Sequence, residues 1–126
     1  MILIEELKNN VKDLQGKLNG IENSLDIPKL TEELAQLNEQ QHKPDFWDDV
    51  KTAQQVSQRA KNIEDKMAAF RKLQQRLNDV SDLVGMCDED DSLLEETANE
   101  LASLDAAVNE MHVSALLSDK FDAGAP

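Results

Sequence analysis

Apolar residues recur along the chain at intervals of three and four positions, which is typical of amphipathic helices. The first such segment begins at Ile4 and reaches Leu25 without interruption. Because this spacing keeps the apolar side chains on one helix face, it predicts a first helix over about residues 3–24. Its predicted stripe consists of Ile4, Leu7, Val11, Leu14, Leu18, Ile21 and Leu25.

A second, shorter helix is predicted over about residues 27–41. Asp26 can accept hydrogen bonds from backbone N–H groups as an N-cap, and Pro28 lies in the first turn, where its missing N–H matters little. Pro44 then ends the helical pattern. The apolar positions of this helix are Leu30, Leu34 and Leu37.

A much longer third helix is predicted over about residues 46–84. Between Asp45 and Ala125 there is no proline, and the only glycine in that range before Gly124 is Gly85. We expect Asp45 to cap this helix and Gly85 to end it, giving a rod of about 55 Å at 1.5 Å per residue. Its predicted stripe is Val50, Ala53, Val56, Ala60, Ile63, Met67, Phe70, Leu73, Leu77, Val80 and Val84.

The last helix is predicted over about residues 92–117. Ser92 and Glu95 have the Ser-x-x-Glu spacing of a capping box, which marks a helix start. Residues 118–126 lack periodicity and are predicted to form a linker that leaves the helical domain. The predicted stripe is Leu94, Ala98, Leu101, Leu104, Val108, Met111 and Ala115.

These segments predict an all-α fold: an antiparallel coiled-coil-like helical bundle of three long helices plus one short helix, in one domain over residues 1–117. The short acidic loop between the third and fourth helices indicates a hairpin. Residues 50–84 carry a net charge of +3 and residues 85–126 a net charge of −10. Ion pairing between these helices is therefore expected, although two separately solvated faces would show the same partition.

The overall charge restricts the classes of partner. Twenty-six acidic against thirteen basic residues give a net charge of −13, which disfavours direct binding to nucleic acid because phosphate is repelled. The single cysteine, Cys87, cannot form an internal disulfide, so a cytoplasmic protein is expected. No apolar segment approaches the length of a membrane span, and no membrane partner is predicted.

Candidate chemical sites are weak. Glu39 and His42 have the Glu-x-x-His spacing of di-iron bundles, but a second such pair is absent. The acidic segment 88–91 lacks the ligand spacing of a calcium loop. The acidic neighbours of Cys87 would disfavour its thiolate. The sequence therefore predicts no catalytic residue, no metal site and no cofactor, and the chain by itself is not expected to be an enzyme.

The segment Pro44-Asp45-Phe46-Trp47-Asp48-Asp49 contains the only tryptophan of the chain in a polar turn between helices. We expect the ring pair to act as a buried plug at the end of the bundle, with the aspartates near the N-terminus of the long helix. The alternative interpretation is that Trp47 contacts a partner.

The same segment carries a family resemblance. Together with Ser24-Leu25-Asp26 and Ala53-Gln54, it resembles the beginning of bacterial peptide chain release factor 2, a family of class I release factors. The closing segment Leu116-Leu117-Ser118-Asp119-Lys120-Phe121-Asp122 is similar to that family's passage from its helical N-terminal domain to its second domain, although the family commonly has Tyr at the position of Phe121.

The resemblance implies a translation termination factor that recognises UGA and UAA stop codons on the ribosome and promotes peptidyl-tRNA hydrolysis through a Gly-Gly-Gln loop. Neither that loop nor a codon-reading Ser-Pro-Phe tripeptide occurs in this sequence. The resemblance therefore implies that this chain is an N-terminal docking and positioning domain, with a stalk-base protein of the large ribosomal subunit as its partner. The candidate contact residues are Glu95, Glu96 and Glu100. The alternative is a free-standing antiparallel coiled-coil adaptor or oligomerisation module.

Overall fold

The computed structural model describes the backbone of residues 3–124 and the side chains of residues 3–117. Within that range there are α-helices and two short 3₁₀ turns but no strand, which confirms the all-α class. The coiled-coil arrangement stays a prediction. The elements are α1 (Ile4–Leu25), α2 (Ile27–Gln41), a 3₁₀ turn (Phe46–Asp48), α3 (Val50–Cys87), a 3₁₀ turn (Asp91–Leu93) and α4 (Leu94–Gly124).

The start of α2 follows the sequence prediction. One residue, Asp26, separates α1 from α2 and has a left-handed backbone with φ of 54°. Aspartate is one of the few residue types other than glycine that adopts this conformation readily. Its Oδ1 accepts a hydrogen bond from the backbone N–H of Lys29 at 3.3 Å, and Pro28 lies in the first turn. Asp26 is thus confirmed as the N-cap.

The predicted cap of α3 is wrong. Residues Phe46–Asp48 form a 3₁₀ turn first, so the helix begins at Val50 and Asp49, not Asp45, is its cap. The backbone N–H of Thr52 donates to Asp49 Oδ1 at 3.2 Å, and the Thr52 hydroxyl donates to Oδ2 at 2.7 Å. These hydrogen bonds, the one from the hydroxyl first, lower the pKa of Asp49.

The predicted end of α3 is also wrong. Gly85 lies inside the helix, with no positive φ, and α3 continues to Cys87. Cys87 follows Val84 by three positions and is 4% exposed, so the helix gains one more buried residue by extending past the glycine.

Apart from Cys87 and Thr97, the buried residues of the helices fall on the predicted stripes. In α1, only the end residues Ile4 and Leu25 and the central Val11 are half-buried rather than buried. In α3, Val50 is exposed and Val56 is half-buried, and the other predicted positions are buried. The buried apolar residues of the three long helices are Leu7, Leu14, Leu18, Ile21, Ala53, Ala60, Ile63, Met67, Phe70, Leu73, Leu77, Val80, Val84, Cys87, Leu101, Leu104 and Val108.

The start of α4 differs in detail from the predicted capping box. Asp90 supplies the side-chain cap: its Oδ1 accepts hydrogen bonds from the backbone N–H of Ser92 at 3.0 Å and from the Ser92 hydroxyl. A 3₁₀ turn follows, and α4 begins at Leu94. The helix extends to Gly124, beyond the predicted end near Leu117. The side chains of residues 118–126 lie outside the described set, and the linker stays a prediction.

Two compact units divide the chain. The first combines residues up to Ser24 with those from Lys72 onward, and the second comprises Leu25–Arg71. The predicted single domain over residues 1–117 therefore stays a prediction. In the second unit, half-buried side chains pack against a core of Leu30, Ile63 and Met67; they are Leu25, Ile27, Leu34 and Leu37.

Two arginines of α3 form ion pairs with acidic residues of neighbouring helices, each within one unit. The pair with α4 is of the kind that the charge partition predicts. In the second unit, Arg59 of α3 donates through Nε and Nη2 to both carboxylate oxygens of Glu33 in α2, at 2.6 and 2.9 Å. In the first unit, Arg76 Nη2 of α3 lies 3.2 Å from Glu100 Oε1 of α4.

Two glycines on the exposed face of α1 generate a stability prediction. A Cβ placed on Gly16 or Gly20 would have no atom within 4 Å. Glycine in a helix interior costs roughly 0.5–1 kcal/mol relative to alanine. We therefore expect Gly16→Ala with Gly20→Ala to raise the free energy of unfolding by about 1–2 kcal/mol in urea titrations. Leu14→Ala on the buried face is the control, and should lower it by about 2–5 kcal/mol. An unchanged or lower stability of the double variant would contradict this expectation.

The Glu33–Arg59 pair generates a prediction on pH dependence. The hydrogen bond from Arg59, followed by its positive charge, holds the pKa of Glu33 below its usual value of 4.5. A carboxylate with a lowered pKa stabilises the folded state above its unfolded pKa, and this contribution is lost as the pH falls through the folded pKa. Glu33→Gln should therefore lower the free energy of unfolding at pH 7 by up to about 1 kcal/mol, since the pair is partly exposed.

Urea titrations at a series of pH values from 7 to 3 would measure this effect. The difference between Glu33→Gln and the parent should diminish as the pH falls below 4.5, the usual pKa of the group. Glu32→Gln, a change at the exposed neighbouring residue, is the matched control. A deficit for Glu33→Gln that stays constant over this range would show that the charge of Glu33 is not what stabilises the fold.

Candidate partner surface at the start of α4

The three glutamates predicted to contact a partner lie in the first two turns of α4, but they differ in their surroundings. Glu95 and Glu96 are exposed, whereas Glu100 is half-buried. Its Oε1 accepts a hydrogen bond from Arg76 Nη2 at 3.2 Å, and the same nitrogen lies 3.2 Å from Ser103 Oγ. Glu100 therefore forms an interhelical contact within the first unit, whereas Glu95 and Glu96 are exposed.

The turn before α4 extends this negative surface. Asp88, Glu89, Asp90 and Asp91 are all exposed, and we call them, with Glu95 and Glu96, the acidic surface. The hydrogen bond from the Ser92 hydroxyl, followed by that from its backbone N–H, lowers the pKa of Asp90, so this carboxylate is ionised at neutral pH. One basic side chain approaches from α1, with Lys8 Nζ 3.6 Å from Asp88 Oδ1.

A buried polar contact beneath this surface was not predicted from the sequence. Thr97 is 1% exposed, and the Cys87 thiol donates a hydrogen bond to its hydroxyl, with 3.5 Å between Sγ and Oγ1. Thr97 lies between the predicted stripe residues Leu94 and Ala98 and is not apolar, so the apolar pattern does not mark it. The contact joins the end of α3 to the first turn of α4.

The predicted aromatic plug is wrong for its main residue. Trp47 is 61% exposed, and Phe46 is half-buried. Their rings meet edge to face, with 5.2 Å between centroids and an interplanar angle of 83°. Successive residues of a 3₁₀ turn point about 120° apart, so both rings cannot face the interior. Pro44, Asp45 and Asp48 of the same segment are exposed as well.

Trp47 borders a shallow surface of α3 that polar residues line. Lys51, Gln54, Gln58 and Asn62 line it along the first turns of the helix. Because burial no longer accounts for the tryptophan, the alternative interpretation of Trp47 as a partner contact stays a hypothesis.

The remaining candidate residues show no arrangement for chemistry. His42 is exposed, and its Nδ1 lies 2.6 Å from the backbone oxygen of Asn38. Over the described residues, no group of three or more His, Cys, Asp and Glu side chains is placed to hold a metal ion. In the same part of the chain, no helix has the length and apolarity needed to cross a membrane.

The exposure of Trp47 generates a prediction. Trp47→Ala should lower the free energy of unfolding by less than about 1 kcal/mol, whereas Phe70→Ala, at a residue 3% exposed, should lower it by about 3–5 kcal/mol. Tryptophan emission of the folded parent should already be close to that in denaturant. A strongly blue-shifted native emission, together with a loss for Trp47→Ala as large as that for Phe70→Ala, would contradict the exposed position.

Comparison with known proteins identifies one family. The PCRF domain matches residues 30–125, which include α3, α4 and most of α2. Peptide chain release factor 2 of Clostridium perfringens strain SM101 is 35% identical over 123 residues, covering 94% of this chain and 31% of the relative.

Relatives of the same name occur in other bacteria. Peptide chain release factor 2 of Salinispora tropica is 36% identical over 114 residues, covering 89% of this chain and 31% of the relative. Peptide chain release factor 2 of Nautilia profundicola is 30% identical over 120 residues, covering 94% of this chain and 33% of the relative. The chain thus spans about a third of the length of these relatives. Because the domain match covers most of the sequence and these relatives align with nearly all of it, the chain belongs to the PCRF domain family.

Proposed function

We propose that this chain is the docking and positioning domain of a translation termination factor that directs release of the nascent peptide at UGA and UAA codons. The observation that carries the proposal is the PCRF match over residues 30–125, together with relatives named peptide chain release factor 2. The sequence contains neither a Gly-Gly-Gln nor a Ser-Pro-Phe tripeptide. The proposed role is therefore attachment of a cytoplasmic factor to the ribosome, not codon reading or hydrolysis.

The charge of the molecule supports a protein as the docking partner. Ribosomal RNA is a polyanion, and a chain of net charge −13 gains little from counterion release on binding to it. Between Asp88 and Asp119 there are ten acidic residues and no lysine or arginine. A basic ribosomal protein would be attracted to such a surface, and we propose the stalk-base protein of the large subunit.

The contacts of the glutamates favour Glu95 and Glu96 as the residues of this interaction. Both are exposed in the first turn of α4, next to the other carboxylates of the acidic surface. Glu100 already pairs with Arg76. A substitution at Glu100 would disturb the contact between α3 and α4, so its effect on binding would be mixed with an effect on folding.

Charge reversal at the two exposed glutamates tests the proposal. We expect Glu95→Lys with Glu96→Lys to weaken binding of the chain to the purified stalk-base protein at least tenfold at low salt, measured by isothermal titration calorimetry. The difference from the parent should decrease toward 1 M salt, where the Debye length is only about 3 Å. Naked ribosomal RNA should not bind the parent.

The matched control reverses two exposed glutamates of α2, Glu32→Lys with Glu39→Lys, and should leave binding within about twofold of the parent. Circular dichroism should show unchanged helix content in both variants. If the folded Glu95/Glu96 variant binds the stalk-base protein as tightly as the parent, the docking proposal fails.

A further inference from the structure

Helix α4 has an apolar face that the fold leaves uncovered. Val113, Leu116 and Leu117 are 53%, 53% and 51% exposed. Val113 and Leu117 each follow a buried residue, Leu104 and Val108, by nine positions. Nine residues at about 100° each amount to a half-turn beyond whole turns, so these side chains lie opposite the buried stripe.

The same face continues toward the start of the helix. Ala106 precedes Val113 by seven residues and Ala102 precedes it by eleven, spacings that return to one side of a helix, and both alanines are exposed. We call this set, Ala102, Ala106, Val113, Leu116 and Leu117, the outer α4 face.

Clustering sets these residues apart from ordinary surface apolar residues. Singly exposed apolar side chains are normal on a soluble protein, whereas a contiguous group commonly marks an interaction site. The other large apolar side chains with comparable exposure in the described part of the chain lie outside α4; they are Leu3, Trp47, Val50 and Met86. The outer α4 face instead places three such residues within five positions, on a helix that carries no lysine or arginine before Lys120.

We propose that the outer α4 face binds an amphipathic helix of a basic protein, whose apolar residues pack on Val113, Leu116 and Leu117. The inference rests on the docking role proposed above and adds an apolar contact to the electrostatic one. An apolar stripe with three-and-four spacing is the surface that a second helix covers by packing side chains between side chains.

The charge around the outer α4 face favours a basic helix as its partner. Two exposed glutamates, Glu95 and Glu110, lie around the outer α4 face. Glu95 precedes Val113 by eighteen residues, which is five whole turns, and therefore lies on the same side of α4. A second copy of this chain carries the same net charge of −13, and like charges brought together at an interface disfavour association. Lysine or arginine residues beside the apolar stripe of the partner would instead pair with these glutamates.

Salt separates the apolar from the electrostatic part of this contact. Screening weakens pairing with Glu95 and Glu110 but leaves the burial of Val113 and Leu117 largely intact. Loss of the two apolar side chains should therefore weaken binding at every salt concentration, whereas charge reversal at Glu95 should weaken it mainly at low salt.

The experiment uses the full chain and a labelled synthetic helical peptide that has leucines along one face and lysines elsewhere, with fluorescence anisotropy as the readout. The parent should bind it, and Val113→Ser with Leu117→Ser should bind at least tenfold more weakly at both 0.1 M and 1 M salt. Val50→Ser with Met86→Ser removes two equally exposed apolar side chains elsewhere and should bind like the parent. Circular dichroism would check that both variants are folded.

The inference would be overturned if the lysine peptide did not bind the parent, or if the folded Val113/Leu117 variant bound it equally well. A peptide with glutamates in place of the lysines should not bind, and its binding as tightly as the lysine peptide would overturn the choice of a basic partner. Concentration-dependent dimerisation of the parent through Val113 and Leu117, in sedimentation equilibrium, would overturn it in favour of a second copy.

Parallel titrations with the stalk-base protein keep the two proposals distinguishable. Failure of that protein to bind, with peptide binding that depends on Val113 and Leu117, would remove the proposed partner but leave the helix-binding face. Binding that depends on Glu95 and Glu96 but not on Val113 and Leu117 would keep the docking role and overturn this inference.

Discussion

The apolar stripe of α3 is the constraint on which the rest of the fold depends. The helix has 38 residues, and its buried side chains extend from Ala53 to Cys87. At 1.5 Å per residue, this stripe is about 50 Å long, more than the thickness of a small globular core. It must therefore be covered lengthwise by other helices. In the second unit, Leu30 of α2 packs with Ile63 and Met67 of α3. In the first unit, α1 and α4 contribute buried leucines alongside those of α3.

The ion pairs of α3 also connect it to a neighbouring helix in each unit. Two arginines of α3 donate hydrogen bonds to carboxylates on neighbouring helices, Arg59 to Glu33 and Arg76 to Glu100. Each such pair is partly exposed and contributes little free energy by itself. The more important point is that the pairs distinguish carboxylates that bond to another helix of the chain from carboxylates that are exposed to solvent. Glu95 and Glu96 fall in the second group, which makes them suitable for contact with another molecule.

The sequence predicts the helices and their buried faces well, because burial repeats with the helical period and therefore leaves a local pattern. Helix ends were harder to predict. Asp45 and Asp49 are both good caps by residue type, and the choice between them depends on the intervening 3₁₀ turn. Gly85 fails to end α3 because Cys87 extends the buried stripe.

The candidate surface was predicted only in part, for a related reason. Acidity along the chain marks Glu95, Glu96 and Glu100 alike, but the pairing of Glu100 with Arg76 depends on how α3 and α4 meet. Trp47 shows the reverse error. Its residue type favours burial, whereas the geometry of a short turn directs it outward beside Phe46. Packing between elements determines the first outcome and the geometry of the turn determines the second, and periodicity reports neither.

The position of Cys87 has a consequence for how the molecule can be observed. Its thiol is buried at the end of α3 and donates a hydrogen bond to the Thr97 hydroxyl. Alkylation occurs when the thiolate attacks the reagent, so it requires the junction between α3 and α4 to separate first. When reclosing is faster than reaction, the alkylation rate reports the free energy of that local opening. The natural sequence thus contains a chemical probe directly beneath the acidic surface, and its kinetics would register how firmly the start of α4 is held.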